Sequence, residues 1–328
     1  MAQESKINKN RINKTIKKIA ILIAKLSVSS ILLYLLILKI GTQTIINNMR
    51  ALSPATFIAA VGIYITTTYL SSRRWNLLIP QDMETKGLFS LYMIGSFFNA
   101  YMPGIIGGDA VKAYYLSKVL KEDNSTPHTH QSSLSVAIAS VFMDRYIGFS
   151  ALLAISIIAF PFGFKYLEGT AVKWLMPLVL VAFISGSIIV LKFRFGERVK
   201  FLFRIYEYFQ IYSRKRHILF KAFLYSLVIQ ISGIVAIYIL SKGISLNISF
   251  LSLLIFVPII ILISFIPVSI SGIGLREGAF VIFLGTIGVP SDSAMTLSIL
   301  WFLSVVVASL WGLFEYLRFK SVFGGEVK

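Results

Sequence analysis

The sequence contains no cysteine, and charged residues make up only 14% of its 328 positions. The absence of cysteine excludes disulfides, thiolate catalysis and Cys-ligated metals. The scarcity of charge excludes an ordinary soluble domain, in which about a quarter of the residues are charged. Histidine is also sparse: His128 and His130 lie in a polar ThrProHisThrHisGln stretch, and His217 stands alone. Two imidazoles without a carboxylate make a poor metal site, so no metal or cofactor is expected. There is no Walker-type phosphate loop, no HisGluXXHis and no GlyXSerXGly elbow, so the usual signatures of catalysis are missing. Long polar stretches are confined to the N-terminus and to residues 192–217.

What fills the chain is apolar. Hydrophobic residues account for 56%, and the mean hydropathy is +0.80. The runs are long enough to cross a hydrocarbon core, which takes roughly 20 residues per helix. Spans are expected at about Ile19–Leu38, Ser53–Arg74, Ser133–Phe160, Val172–Leu191, Ile218–Leu240 and Ala294–Leu317. The first is too long for a signal peptide and shows no small-X-small cleavage site, so it reads as a retained helix. The fold class is an all-α polytopic membrane protein with about six to eight membrane helices. Residues 1–18 form a basic tail, 19–320 one integral-membrane domain, and 321–328 a short tail. Within the domain, residues 192–217 are basic, aromatic and amphipathic, as expected of an interfacial helix.

Two apolar segments are interrupted. The first, about Leu88–Met102, breaks at ProGlyIleIleGlyGlyAsp and continues as a more polar helix, about Ala110–Leu120. The second, about Phe250–Pro267, breaks at SerIleSerGlyIleGlyLeuArgGluGly. Basic residues exceed acidic ones by 32 to 14, a formal charge of +18. They lie in short loops, which argues for membrane orientation and attraction to anionic lipid rather than for nucleic-acid binding. The positive-inside rule puts both termini, Arg73-Arg74, residues 112–121 and residues 192–221 on the cytoplasmic side of a plasma (inner) membrane. The two broken segments then dip from opposite faces, one in each half, as an inverted repeat. Such paired interruptions point to a transporter-like site near the midplane.

Three constellations carry polar chemistry into these spans. The first holds Asn99, Gly104, Gly107, Gly108, Asp109 and Lys112. Irregular backbone at membrane depth needs protein or a wet cavity around it, and Asp109 is placed either to cap the following helix or to serve a ligand. The second holds Ser269, Ser271, Gly272, Gly274, Arg276 and Glu277. Successive amides there can form an anion nest and Arg276 offers a fork for phosphate, or Arg276 and Glu277 neutralise each other. The third is Asp144-Arg145. Ser133, Ala137, Ser140, Asp144, Gly148 and Ala151 recur at three- and four-residue steps, so Asp144 shares a face of small residues turned to other helices. Ion-pairing with another span and a ligand or proton-handling role are both open for it. A charge inside a span costs roughly 2.5–3.5 kcal/mol, so such residues default to a functional reading. Arg73, Arg74 and Trp75, at a span end, read as an interfacial anchor with a headgroup contact as the alternative.

The stretches PheAsnAlaTyrMetProGlyIleIleGlyGlyAspAlaValLysAla, AlaSerValPheMetAspArgTyrIleGly and ProValSerIleSerGlyIleGlyLeuArgGluGlyAla resemble the integral-membrane region of lysylphosphatidylglycerol synthases. That resemblance implies a flippase-like membrane domain. In the full-length synthases, such a region moves aminoacylated phospholipid made by a soluble transferase domain, and similar regions accompany glycosyltransferases that use polyprenyl-linked sugars. No transferase domain is present here, so lipid synthesis is not expected. The leading expectation is a non-enzymatic lipid translocase, with Arg276 and Arg145 on phosphate and Asp109, Asp144 and Glu277 balancing charge, binding a cationic group or exchanging protons in a cavity between the broken segments. Its partners would be membrane lipids, anionic or lipid-linked. The alternatives are an accessory subunit of an aminoacyl- or glycosyltransferase, and an intramembrane enzyme using those carboxylates.

Overall fold

The computed structural model describes residues 27–38, 41–79, 85–101, 107–122, 133–168, 171–192, 206–208, 210–212, 214–266, 269 and 272–323. The basic tail, the start of the first expected span, Gly104, the His128–His130 stretch, most of residues 192–217 and Ser271 lie outside them.

The described residues form helices and no strand. In chain order these are α1 (Ser27–Leu38), α2 (Thr42–Arg50), α3 (Pro54–Leu77), α4 (Thr85–Tyr101), α5 (Gly107–Glu122) and α6 (Ser133–Leu167). After a short 3-10 turn come α7 (Leu175–Lys192), α8 (Arg216–Gly243), α9 (Phe250–Ser264), α10 (Leu275–Gly285) and α11 (Ser291–Phe323). Four of them, α3, α6, α8 and α11, are long and apolar enough to cross a membrane unaided, and α1 with α2 forms a pair bent by 84°. Pro54 suits the first turn of α3, where its missing N–H bonds nothing anyway. That helix continues to Leu77, past the expected end, so Arg73 and Arg74 lie within it. At the other end of the chain α11 runs to Phe323, past the expected boundary at residue 320.

The two interrupted segments are helical hairpins. α9 has 15 residues, a rise of about 22 Å, short of the roughly 30 Å hydrocarbon core. Beyond it the backbone turns through Gly272 and Gly274 at φ +76 and +85, a region that penalises any Cβ. α4 and α5 make the corresponding hairpin in the first half. Their backbones touch: a Cβ on Gly108 would lie 1.9 Å from the Gly95 carbonyl oxygen. Where no water drives apolar association, such close packing of small residues is what holds helices together.

The helix packing repeats with inversion. α5 packs on α6 as α10 packs on α11, and α4 packs on α11 as α9 packs on α6. α3 and α8 pack on each other. They run antiparallel, since the Ser53 amide at the start of α3 donates to the Gly243 carbonyl at the end of α8. The first half, α3–α6, is therefore the counterpart of the second, α8–α11, turned end for end. The expected inverted repeat is what the packing shows. Its common core joins Leu152 and Leu153 of α6 to Phe256 of α9, Phe280 and Phe283 of α10 and Leu297 of α11.

Candidate functional site

The polar centre lies in the first half. α3 carries Thr67, Thr68, Ser71 and Ser72 in a buried row. Thr67 and Thr68 donate to the Tyr64 carbonyl at 2.8 and 2.9 Å. Arg74 follows one turn on and is buried. Its Nε donates to Asp144 Oδ1 at 2.8 Å and its Nη1 to Ser226 Oγ at 2.8 Å. Tyr92 of α4 donates to the second oxygen of Asp144 at 2.9 Å. Gly148 makes room for this, since a Cβ there would come within 3.1 Å of the guanidinium. Asp144 is fully buried and both its oxygens are bonded, so of the two readings open for it the structure shows the ion pair with another span.

Asp109 stands in the first turn of α5. Arg145 clasps it with two parallel bonds, Nε to Oδ2 at 2.8 Å and Nη2 to Oδ1 at 2.9 Å. Lys112 Nζ lies 3.0 Å from Asp109 Oδ1. The Lys112 ammonium sits 4.0 Å from the centre of the Tyr92 ring and 5.4 Å from that of Trp75, which stabilises a desolvated cation. Capping of α5 falls to Asn99 instead, whose Oδ1 accepts from the Gly108 amide at 2.9 Å. Gly107 is the first residue of that helix. In this cluster three cations, Arg74, Lys112 and Arg145, face two carboxylates, Asp109 and Asp144.

Two hollows meet at Arg145. One is a polar cavity of about 300 Å³, lined by Tyr64, Thr67, Thr68 and Ser71 of α3, Tyr92, Ser96 and Asn99 of α4, Lys112, Arg145 and Ile229. The other is a larger apolar groove of about 530 Å³ between α5 and α6, walled by Ala110, Ala113, Leu134, Ile138, Val141 and Phe142. Asp109 and Arg145 form its polar edge.

The second broken segment forms a separate cluster. Arg276 and Glu277 are buried and ion-paired. Glu277 reaches back to accept from the Gly274 amide at 2.6 Å, and Arg276 Nε also donates to Ser298 Oγ at 3.2 Å. The Arg276 guanidinium lies 4.5 Å from the centre of the Phe302 ring. Ser269 is buried nearby in sequence, and its hydroxyl has no hydrogen-bond partner among the described residues. None of Ser269, Gly272, Gly274, Arg276 or Glu277 lines the polar cavity. The expected cavity between the two broken segments is instead bounded by α3, α4, α5, α6 and α8.

The expected interfacial anchor divides. Arg73 is exposed, but Arg74 and Trp75 are buried, and the Trp75 indole donates to Ser140 Oγ at 3.2 Å. A buried arginine needs a carboxylate, and Asp144 supplies it. The cavity hydroxyls went unread in the sequence. Their signal was the dense IleTyrIleThrThrThrTyrLeuSerSer run inside an apolar span. A second signal is internal: Ser133, Ser135 and Ser140 of α6 recur with the same spacing as Ser291, Ser293 and Ser298 of α11. In that register Asp144-Arg145 corresponds to Phe302-Leu303, so the charges of α6 have apolar counterparts in α11.

Residues 22–312 match the family model described as the lysylphosphatidylglycerol synthase TM region. The chain belongs to that family. No curated protein matches it.

Proposed function

We propose that this membrane-embedded member of the lysylphosphatidylglycerol synthase TM-region family translocates a lipid, with the headgroup in the polar cavity and the tails against the α5–α6 groove. The observation that carries this reading is the position of Arg145, which lines both hollows at once. A lipid has the same partition, a phosphate between a polar end and apolar tails. Arg145 is 46% exposed, and Asp109 13%, so the guanidinium can meet a phosphate from the groove side. A guanidinium fork suits phosphate as well as carboxylate. Passage of a headgroup between α5 and α6 requires Asp109 and Arg145 to part, and a phosphate replacing the Asp109 carboxylate offsets that loss.

The loop charges favour a cytoplasmic location for both termini. With the ends of α3 and α5 on that side, the polar cavity draws from the inner leaflet of a plasma membrane. Asp109 and Asp144 are held as counter-ions by arginine, which favours binding over acid–base catalysis. The test is headgroup-labelled phospholipid in reconstituted vesicles: protein-dependent movement between leaflets is expected, with loss in Arg145→Gln. Movement no faster than in empty vesicles, across zwitterionic, anionic and polyprenyl lipids, would sink the proposal.

A further inference from the structure

We infer that a groove on the outer side of the α6–α8 seam holds an anionic phospholipid as a resident brace, with its phosphate at Arg216 and an acyl chain along the groove. This site is separate from the polar cavity and does not depend on translocation.

The groove has the shape of a chain site. It measures about 370 Å³ and is walled by Met143, Ile147 and Ser150 of α6 and by Leu219 and Phe223 of α8, with Arg216 at the start of α8. Met143 to Ser150 and Arg216 to Phe223 each rise about 10 Å along their helices. That is about a third of the roughly 30 Å hydrocarbon core, so the groove stays within one leaflet and offers no route across. Its mouth faces lipid, since Phe220 also lines it and is 63% exposed. On α6 it lies opposite the groove shared with α5. Ile138, Val141, Phe142 and Arg145 fall on one side of that helix, and Met143, Ile147 and Ser150 on the other.

Charge identifies the occupant. Arg214, Lys215, Arg216 and Lys221 are all exposed. Among the described residues Arg216 has no ion-pair or hydrogen-bond partner. No side chain caps the start of α8, so the positive end of its dipole adds to these charges. Loop charge favours the cytoplasmic side for this end of the helix, where anionic headgroups concentrate. A zwitterionic lipid would bring a further cation to a cluster of cations. A water-borne phosphate would leave the apolar walls uncovered.

Packing gives the lipid its role. Met143, Ile147, Tyr208, Tyr212 and Ala222 belong to one apolar cluster, with Leu219 and Phe223 packed against it. A chain in the groove covers the outer surface of that cluster and so favours the docked position of Tyr208 and Tyr212. On the inner side of the same seam, Arg74 bonds both Asp144 of α6 and Ser226 of α8. The seam is then held by a guanidinium within and by a lipid without.

The experiment is photolabelling of the full chain in phosphatidylcholine nanodiscs. One probe is phosphatidylmethanol with a diazirine on one acyl chain, a lipid whose headgroup offers a phosphodiester charge and nothing more. The other is phosphatidylcholine with the same chain. Peptides holding Met143–Ser150 and Leu219–Phe223 are expected to be labelled about fivefold more by phosphatidylmethanol, the factor one surface arginine contributes at an anionic bilayer. Arg216→Gln should reduce that labelling to the phosphatidylcholine level, with an unchanged melting temperature because the side chain is exposed. Arg145→Gln should leave it as it is. Equal labelling by the two probes in the unaltered chain overturns the site, as does anionic preference that survives Arg216→Gln. Limited proteolysis within residues 206–212 should be slower in nanodiscs containing phosphatidylmethanol than in phosphatidylcholine alone, and Arg216→Gln should remove the difference. Cleavage indifferent to phosphatidylmethanol overturns the bracing role.

Discussion

Arg145 of α6 and Asp109 of α5 are joined by two parallel hydrogen bonds of 2.8 and 2.9 Å across the boundary between a polar cavity and an apolar groove. The chain separates them by 36 residues, and Arg145 lines both hollows. Arg145→Lys keeps the charge but removes the fork. It should reduce lipid movement at least tenfold in the vesicle assay while leaving the detergent-extracted yield unchanged, because the Arg145 side chain is half-exposed. Transport undiminished in Arg145→Lys would show that charge alone suffices at this position.

Arg74 and Asp144 should behave differently, as structural partners. Asp144→Ala leaves a buried guanidinium without its carboxylate, at a cost of about 3–5 kcal/mol. The melting temperature in detergent should fall sharply. Arg74→Leu combined with Asp144→Leu should recover much of that loss, since replacing a buried pair costs less than breaking it. A double variant as unstable as Asp144→Ala would refute this pairing as the origin of the effect.

Glycine at 108 is fixed by backbone, not by side chains. The Cβ of Gly108→Ala would meet the Gly95 carbonyl oxygen at 1.9 Å, and a carbonyl cannot rotate aside. α4 and α5 must separate, which disturbs Asn99 and Lys112 together. Folded yield and lipid binding should both drop. At Gly62 of α3 and Gly186 of α7 nothing lies within 4 Å. Alanine there should be neutral or stabilising by up to about 1 kcal/mol, as read by thermal unfolding.

The described part of the segment expected to be interfacial, residues 206–208 and 210–212, docks against the end of α3. Tyr208 donates to the Leu78 carbonyl at 2.8 Å, and Tyr212 lies buried beside it. Burial pushes the Tyr212 phenol up to about 12 from an ordinary 10.0, and raises Tyr208 also. Between those values the folded form keeps protons that the undocked form loses. Docking is therefore fully favoured below pH 10 and weakens as pH rises towards 12. Limited proteolysis should cut this segment faster at pH 11 than at pH 8. Tyr212→Phe should reduce that difference, and an unchanged difference would exclude Tyr212 as its source.

Local pattern made the architecture legible. Glycine and serine set into apolar runs located both hairpins, and loop charge anticipated their inversion. The partners were not legible, because they are distant in sequence and because one local pattern fits two fates. Arg73 and Arg74 are neighbours at a helix end, yet one is exposed and the other buried against a carboxylate 70 residues away. Arg145 and Arg276 likewise looked equivalent as phosphate ligands. What separates them is the helix opposite each: Arg145 is met by Asp109 at an open cavity, while Arg276 is enclosed by Glu277, Ser298 and Phe302. The hydroxyl wall was hidden for a further reason. A threonine that bonds its own helix is indistinguishable in sequence from one that waits for a ligand.

The inverted packing of the two halves has one more consequence. Two identical inverted copies would be the same molecule seen from either leaflet, with no means of telling inside from outside. Here the register that holds Asp144-Arg145 in α6 holds Phe302-Leu303 in α11, and the second copy's own ion pair, Arg276–Glu277, lies away from the polar cavity, so the two copies are chemically distinct. The chain carries its own polarity across the bilayer in a handful of side chains, before any gradient or partner acts on it.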